Sequence, residues 1–171
     1  HFEPCVFVDR CGLPFLEHPE RLSDRDIIDA GAFIGDSALI FSSLTKRKVY
    51  AFEPSPKNYE LMRKTIELNT VENIVPCALA LGDKKGSIHI SISESCDGSC
   101  STQFENQAFD YEETVPVNVI TLDEYVREHN LKVGLIKADV EGAEQLLLRG
   151  ALETIRTQKP ALLISIYHNA S

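Results

Sequence analysis

The sequence predicts an α/β fold: a mostly parallel sheet with helices on both faces and an antiparallel strand insertion. Three observations carry that reading. Short apolar runs alternate with stretches of helical periodicity, a pattern that calls for parallel strands joined by crossover helices. The rhythm breaks between residues 86 and 120, where period-two alternation takes over. Polar residues stand at or just past the carboxyl ends of four predicted core strands, where open parallel sheets bind ligands.

Residues 1–25 form an irregular lead-in, with Gly12-Leu13-Pro14 a turn and residues 2–8 at most a short strand. Ile27–Ala30 reads as a buried strand, and Asp36–Leu44 as a helix whose apolar face carries Ala38, Leu39, Phe41 and Leu44. Val49–Phe52 is the second strand. A helix follows to about Leu68, with Ser55 as its N-cap and Pro56 as its first residue. Asn73–Leu79 is the third strand. Gly86–Ser93 alternates with Ile88, Ile90 and Ile92 inward, and Val115–Ile120 returns beside it. The polar stretch Glu94–Thr114 between them is long enough to be functional or disordered. Thr121 and Glu124 make a capping box for a short helix. Leu135–Ala138 is the next core strand, Glu144–Arg149 and Ala151–Thr157 are helical, and Ala161–Tyr167 is the last strand.

The bulk properties narrow the function. A chain of 171 residues suits one domain with a single core. Its net charge of −9 and the absence of a Lys/Arg cluster argue against a nucleic-acid partner. No apolar run reaches membrane-spanning length, and no leader pattern opens the chain, which begins with His1 and reads as a trimmed piece of something longer. The five cysteines are odd in number and irregularly spaced, which favours a reducing, cytoplasmic compartment over a disulfide framework. Cys96 and Cys100 lack the further ligands that a zinc site needs, so no metal is expected.

The stretch D-I-I-D-A-G-A-F-I-G-D, residues Asp26–Asp36, raises the chemical question. Gly31 and Gly35 let a backbone approach a ligand closely between the first strand and its helix. Glu53 ends the second strand about twenty residues further on, where nucleotide-binding folds place a carboxylate for the ribose hydroxyls. The spacing G-x-x-x-G lacks the three-glycine pattern that seats a pyrophosphate, and Asp29 and Asp36 would repel one. Those charges suit a ligand with a ribose and a positive centre but no phosphate. S-adenosylmethionine, with its sulfonium and α-ammonium, is such a ligand. An NAD-type oxidoreductase is disfavoured by the same spacing. Without Glu53, the glycines alone would describe nothing more than a tight strand-to-helix turn.

The second constellation is L-I-K-A-D-V-E-G-A-E, residues Leu135–Glu144. Asp139 ends a strand, and Glu141 and Glu144 crowd the following turn, a costly arrangement unless a cation or a proton-transfer role offsets it. A helix N-terminus that favours acids accounts for Glu141 and Glu144 but less well for Asp139. In the usual strand order for this topology the fourth parallel strand lies beside the first, so Asp139 should face the Gly31–Gly35 loop. Lys137 pairs with a carboxylate. His168, just past the last strand, is either an exposed histidine or a general base.

The chain resembles the FkbM-type methyltransferases, a branch of the class I S-adenosylmethionine-dependent enzymes. The match runs through I-I-D-A-G-A-F-I-G-D-S-A, V-Y-A-F-E-P-S-P-K-N-Y-E, A-L-G-D, T-L-D-E-Y, I-K-A-D-V-E-G-A-E-Q-L-L-L-R-G-A and P-A-L-L-I-S-I-Y-H. The resemblance implies a Rossmann-like class I methyltransferase sheet over residues 26–171. It implies S-adenosylmethionine as cofactor and O-methylation of a hydroxyl on a small molecule or sugar. The family's closing antiparallel strand pair is expected to be missing from this chain. On this reading Gly31 and Gly35 seat the methionine end, Asp29 and Asp36 face its ammonium, and Glu53 holds the ribose hydroxyls. Phe33 and Pro54 adjoin them, and Ala78 and Leu79 flank the adenine. Asp139, Glu141 and His168 are the candidate bases. A module that holds the cofactor without turning it over is the alternative.

Overall fold

The computed structural model describes residues 10–92 and 113–165. The first strand, β1 (Asp26–Ala30), is buried along its whole length. Helix α1 (Asp36–Ser42) follows, then β2 (Val49–Phe52), α2 (Pro56–Leu68) and β3 (Ile74–Cys77). Three strands come next: β4 (Ala80–Leu81), β5 (Gly86–Ile92) and β6 (Glu113–Ile120). The chain returns through α3 (Leu122–His129), β7 (Val133–Ala138), α4 (Glu144–Arg149), α5 (Leu152–Gln158) and β8 (Ala161–Ile164). No helix among the described residues is long and apolar enough to cross a membrane.

The main sheet has the order β3-β2-β1-β7-β8, and every pairing in it is parallel. Successive residues of the central strands face opposite sides, which puts helices on both. Ile27, Val49, Ala51 and Leu135 pack with Ala38, Phe41 and Met62 on one face. Ile28, Phe52 and Ile136 pack with Leu122, Tyr125, Val126 and Leu147 on the other. The residues before β1 belong to the first of these layers. They form two 3₁₀ turns, Arg10–Phe15 and Pro19–Leu22, which bury Leu13 and Leu22 in the α1/α2 core.

The helix limits follow local chemistry. Ser55 Oγ accepts the Asn58 N–H at 3.5 Å and Pro56 starts α2. Thr121 Oγ1 accepts the Glu124 N–H at 3.1 Å. Glu124 does not complete the predicted capping box, because its carboxylate pairs with Lys85 Nζ at 3.0 Å. At the amino end of β1, the buried Asp26 carboxylate takes both Arg47 Nε and Nη2, at 3.0 and 2.9 Å, and the Lys132 N–H at 2.7 Å. That cluster clamps β1 to the segment before β7.

The insertion differs from a plain hairpin. β5 and β6 are antiparallel as expected, but β4 adds to β6 in parallel, giving a second sheet of order β4-β6-β5. The predicted third strand therefore ends early: the chain leaves the main sheet after Cys77, and Ala80–Leu81 pairs with Val119–Ile120 instead. Ile90 is buried, whereas Ile88, two residues away on the same face, is 36% exposed. The predicted short strand at residues 2–8 and most of the Glu94–Thr114 loop lie outside the described residues.

Candidate functional site

In the main sheet the chain runs outward from β1 through β2 to β3, then crosses back to β7 and on to β8. The order reverses between β1 and β7, and a crevice opens beyond the carboxyl ends at such a point. A cavity of about 710 Å³ lies there. Gly31, Phe33, Asp36, Glu53, Asp139 and Glu141 line its sheet end. The second sheet supplies another wall through Leu81, Ile90 and Val119, and the lead-in turn contributes Cys11 and Gly12.

The β1–α1 loop is built from three residues with positive φ, Gly31 (75°), Phe33 (49°) and Gly35 (86°). The Gly31 and Ala32 N–H groups both donate to the Phe52 carbonyl at 3.0 Å, which ties the loop to the end of β2. A Cβ on Gly31 would lie 1.8 Å from the Asp139 carbonyl oxygen. The close approach that requires this glycine is thus made by the chain itself. Gly35, behind the cavity wall, packs on Met62, whose Cγ would meet an added Cβ at 3.0 Å. Gly31 borders the cavity; Gly35 does not, a correction to its predicted contact role.

Glu53 is held in a fixed orientation. Its Oε2 accepts the Phe33 N–H at 3.0 Å and its Oε1 the Ser55 N–H at 2.9 Å. The residue is only 4% exposed yet lines the cavity. Burial pushes its carboxyl up to about 7, against the opposing pull of the two N–H donors and the Asn58 side chain. The positive φ of Phe33 aims its N–H at Glu53, so the loop and the strand-end acid form one unit.

Asp29 meets a cation, but not one brought by a ligand. It is fully buried and does not border the cavity. Its Oδ2 accepts the Ser37 hydroxyl at 2.6 Å, and Lys137 Nζ lies 3.2 Å from Oδ1. Asp29 and Lys137 are direct register partners on β1 and β7, which places both side chains on the same face. Lys137 directs a 2.8 Å hydrogen bond at the Gly31 carbonyl, so its contact with Asp29 Oδ1 is an ion pair off the hydrogen-bond line. Burial alone would lower Lys137, but Asp29 and then Asp139 outweigh it and hold the ammonium above the ordinary lysine value.

Asp36 is the acid that reaches the cavity. It is 5% exposed; Oδ1 accepts the Ser37 N–H at 2.9 Å and Oδ2 has no hydrogen-bond partner. Burial, and then the nearby Asp29 charge, raise its carboxyl above the usual aspartate range. An orphaned buried oxygen costs about 1–3 kcal/mol, more when charged, unless something donates to it. A ligand ammonium would remove that cost.

The β7–α4 turn sorts the other acids. Glu144 folds back, its Oε1 accepting the N–H groups of Val140 and Gly142 at 3.1 and 3.2 Å. It is a structural brace. Glu141 (φ 51°) and Gly142 (φ 98°) turn the chain, and Asp139 and Glu141 both line the cavity. Asp139 donates its N–H to the Ala30 carbonyl at 3.0 Å, beside the Gly31 loop as the strand order requires.

Pro54 and Leu79 line the cavity, whereas Ala78 is exposed and does not, because the chain is already leaving the main sheet at that point. His168 lies outside the described residues, as do Cys96 and Cys100. Sequence reasoning missed the Cys11–Gly12 wall, whose turn has no periodicity to announce it. It also missed Asn58, placed beside Glu53 by the Ser55 cap, a signal that was available.

The sequence pattern described as the methyltransferase FkbM domain matches residues 29–171. Methyltransferase 1 of Beauveria bassiana is 30% identical over 169 residues, which cover 85% of this chain and 64% of that protein. Hexuronic acid methyltransferase AglP of Haloferax volcanii is 26% identical over 141 residues, covering 81% of this chain and 55% of that protein. The chain thus spans 55–64% of the length of these two relatives. The crystal structure of methyltransferase FkbM from Methylobacillus flagellatus KT shares the fold, with a TM-score of 0.62 at 23% identity, covering 85% of this chain and 33% of that one.

Proposed function

The chain belongs to the FkbM methyltransferase domain family, and on that premise we propose that it transfers a methyl group from S-adenosylmethionine to a hydroxyl of a small molecule or sugar. The observation that carries the reading is the pairing, in one cavity, of a clamped Glu53 carboxylate with the partnerless Asp36 Oδ2. The first suits two vicinal hydroxyls; the second suits an ammonium. The cofactor, when bound, supplies a methyl group carried on a positively charged sulfur.

The residues of this chain bind and orient. Glu53 accepts the ribose hydroxyls, and Asp36 receives the α-ammonium. Phe33, Pro54 and Leu79 give the adenosine its apolar surroundings, and Gly31 leaves room at the methionine end. Asp29 acts indirectly, as the buried counter-ion of Lys137. Catalysis in such a site is largely the positioning of two reacting atoms. The acceptor hydroxyl must also lose a proton, and Asp139 and Glu141 both border the cavity for that role, with His168 the third candidate. A small-molecule acceptor agrees with the cavity and with the relative named for hexuronic acid, and reduced cysteines at 11 and 77 agree with a cytoplasmic enzyme.

Calorimetric titration with S-adenosylhomocysteine tests binding, and release of that product in the presence of sugar and sugar-acid acceptors tests turnover. Binding together with product release is expected. A flat titration would remove the cofactor reading; binding with no product from any acceptor would leave a non-catalytic module.

A further inference from the structure

Lys137 is the one feature of the site that the cofactor contacts above do not use. It is 8% exposed, lines the cavity beside Asp139, and influences the charge of Asp36. Its three donors are unequally engaged. One makes a 2.8 Å bond to the Gly31 carbonyl. The Asp29 contact is an ion pair off the hydrogen-bond line. The approach to the Ala30 carbonyl is 3.5 Å, and that oxygen already accepts the Asp139 N–H at 3.0 Å. The ammonium therefore has donor capacity toward the cavity. Asp36 Oδ2, on the same cavity, has acceptor capacity.

A buried cation and a buried anion that both face one cavity, each incompletely satisfied, are complementary to a zwitterion. We infer that Lys137 and Asp36 together form a subsite for an α-amino acid group, Lys137 taking the carboxylate and Asp36 the ammonium. This rests on the S-adenosylmethionine reading and assigns the cofactor's amino-acid end to two residues. Asp29 sets the geometry of the subsite. It holds Lys137 at the register position opposite itself, and Ser37 bridges the two aspartates, donating its hydroxyl to Asp29 and its N–H to Asp36. Lys137 thus combines a structural ion pair with a ligand contact, and the two roles separate by experiment.

The test compares S-adenosylhomocysteine with its decarboxylated analogue, which keeps the ammonium, by calorimetry on the full chain. Wild-type protein should bind the decarboxylated compound at least tenfold more weakly. In Asp29→Asn/Lys137→Met, which removes the ion pair as a unit, the two compounds should bind within about twofold of each other. Asp36→Asn should weaken both and preserve the ratio, since both carry the ammonium. A wild-type ratio near one overturns the inference whatever the variants do. A double variant that keeps the wild-type ratio overturns it too, leaving Lys137 with its structural pair only. If the double variant does not fold, Asp36→Asn decides with the wild type: a changed ratio there means the ammonium and carboxylate are not read separately. No binding of S-adenosylhomocysteine to wild-type protein would instead overturn the underlying cofactor reading, and the subsite with it.

Discussion

Asp29 and Lys137 sit opposite each other in register on adjacent central strands, their charged atoms 3.2 Å apart and both side chains buried. A pair of this kind adds little net stability when complete, because removing both charges from water offsets the attraction. It is costly to break on one side. Lys137→Met should destabilise the fold by about 3–5 kcal/mol, and Asp29→Asn/Lys137→Met should recover most of that loss. Urea unfolding of the single and double variants is the check, and equal losses would show that the charges are not coupled.

Glu53 couples binding to its orientation. Glu53→Gln keeps the size but loses one acceptor oxygen and the charge. Affinity for S-adenosylhomocysteine should fall by about 1.5–3 kcal/mol. An unchanged dissociation constant would take Glu53 out of the site.

The same carboxyl gives a pH signature. Burial raises it from an ordinary 4.5 to about 7. Between those values the folded protein holds a proton that the unfolded chain has released. The stability linked to that proton is fully present below pH 4.5 and is lost as pH rises through 7, by about 3 kcal/mol in all. Cofactor affinity should move the opposite way and strengthen as pH rises through 7, because the ionised carboxylate is the better acceptor. Glu53→Gln should flatten both trends in paired stability and calorimetry series; a slope unchanged in the variant would point to another group.

Gly31→Ala should be severe. The added methyl would sit 1.8 Å from a backbone oxygen, at a φ of 75° that alanine rarely adopts. Left-handed strain and overpacking each cost about 1–3 kcal/mol, so a loss of about 3 kcal/mol or more is expected. A melting temperature within a degree of the wild type would mean that the turn after β7 yields easily.

Asp139→Asn should lower turnover by about 10²–10⁴ with little change in cofactor affinity if Asp139 takes the acceptor's proton. Equal losses in both would make it a cofactor contact and leave Glu141 as the base among the described candidates.

Much of the fold is legible from local chemistry. Ser55-Pro56 and Thr121 fix helix starts because the capping atoms are neighbours in sequence. β2 and α2 match their predicted limits for the same reason. What failed depends on distant partners. β4 forms because Val119 and Ile120, some way along the chain, offer it an edge. Ile88 is exposed because its face of β5 opens onto the cavity rather than onto core. In the site, Glu53 lines the cavity as its spacing implied, but Asp29 and Asp36 look alike in the sequence. Only the β1–β7 register shows that Lys137 takes the first and leaves the second to the cavity.

The 3₁₀ turns ahead of β1 carry a practical consequence. Leu13 and Leu22 anchor them in the α1/α2 layer, and Cys11 and Gly12 border the pocket. Trimming the polypeptide at Asp26, where regular sheet begins, would unroof the crevice and bare the greasy underside of Phe41. A shortened protein made that way should be sticky in solution and slack toward nucleosides, even with every strand of the main sheet intact.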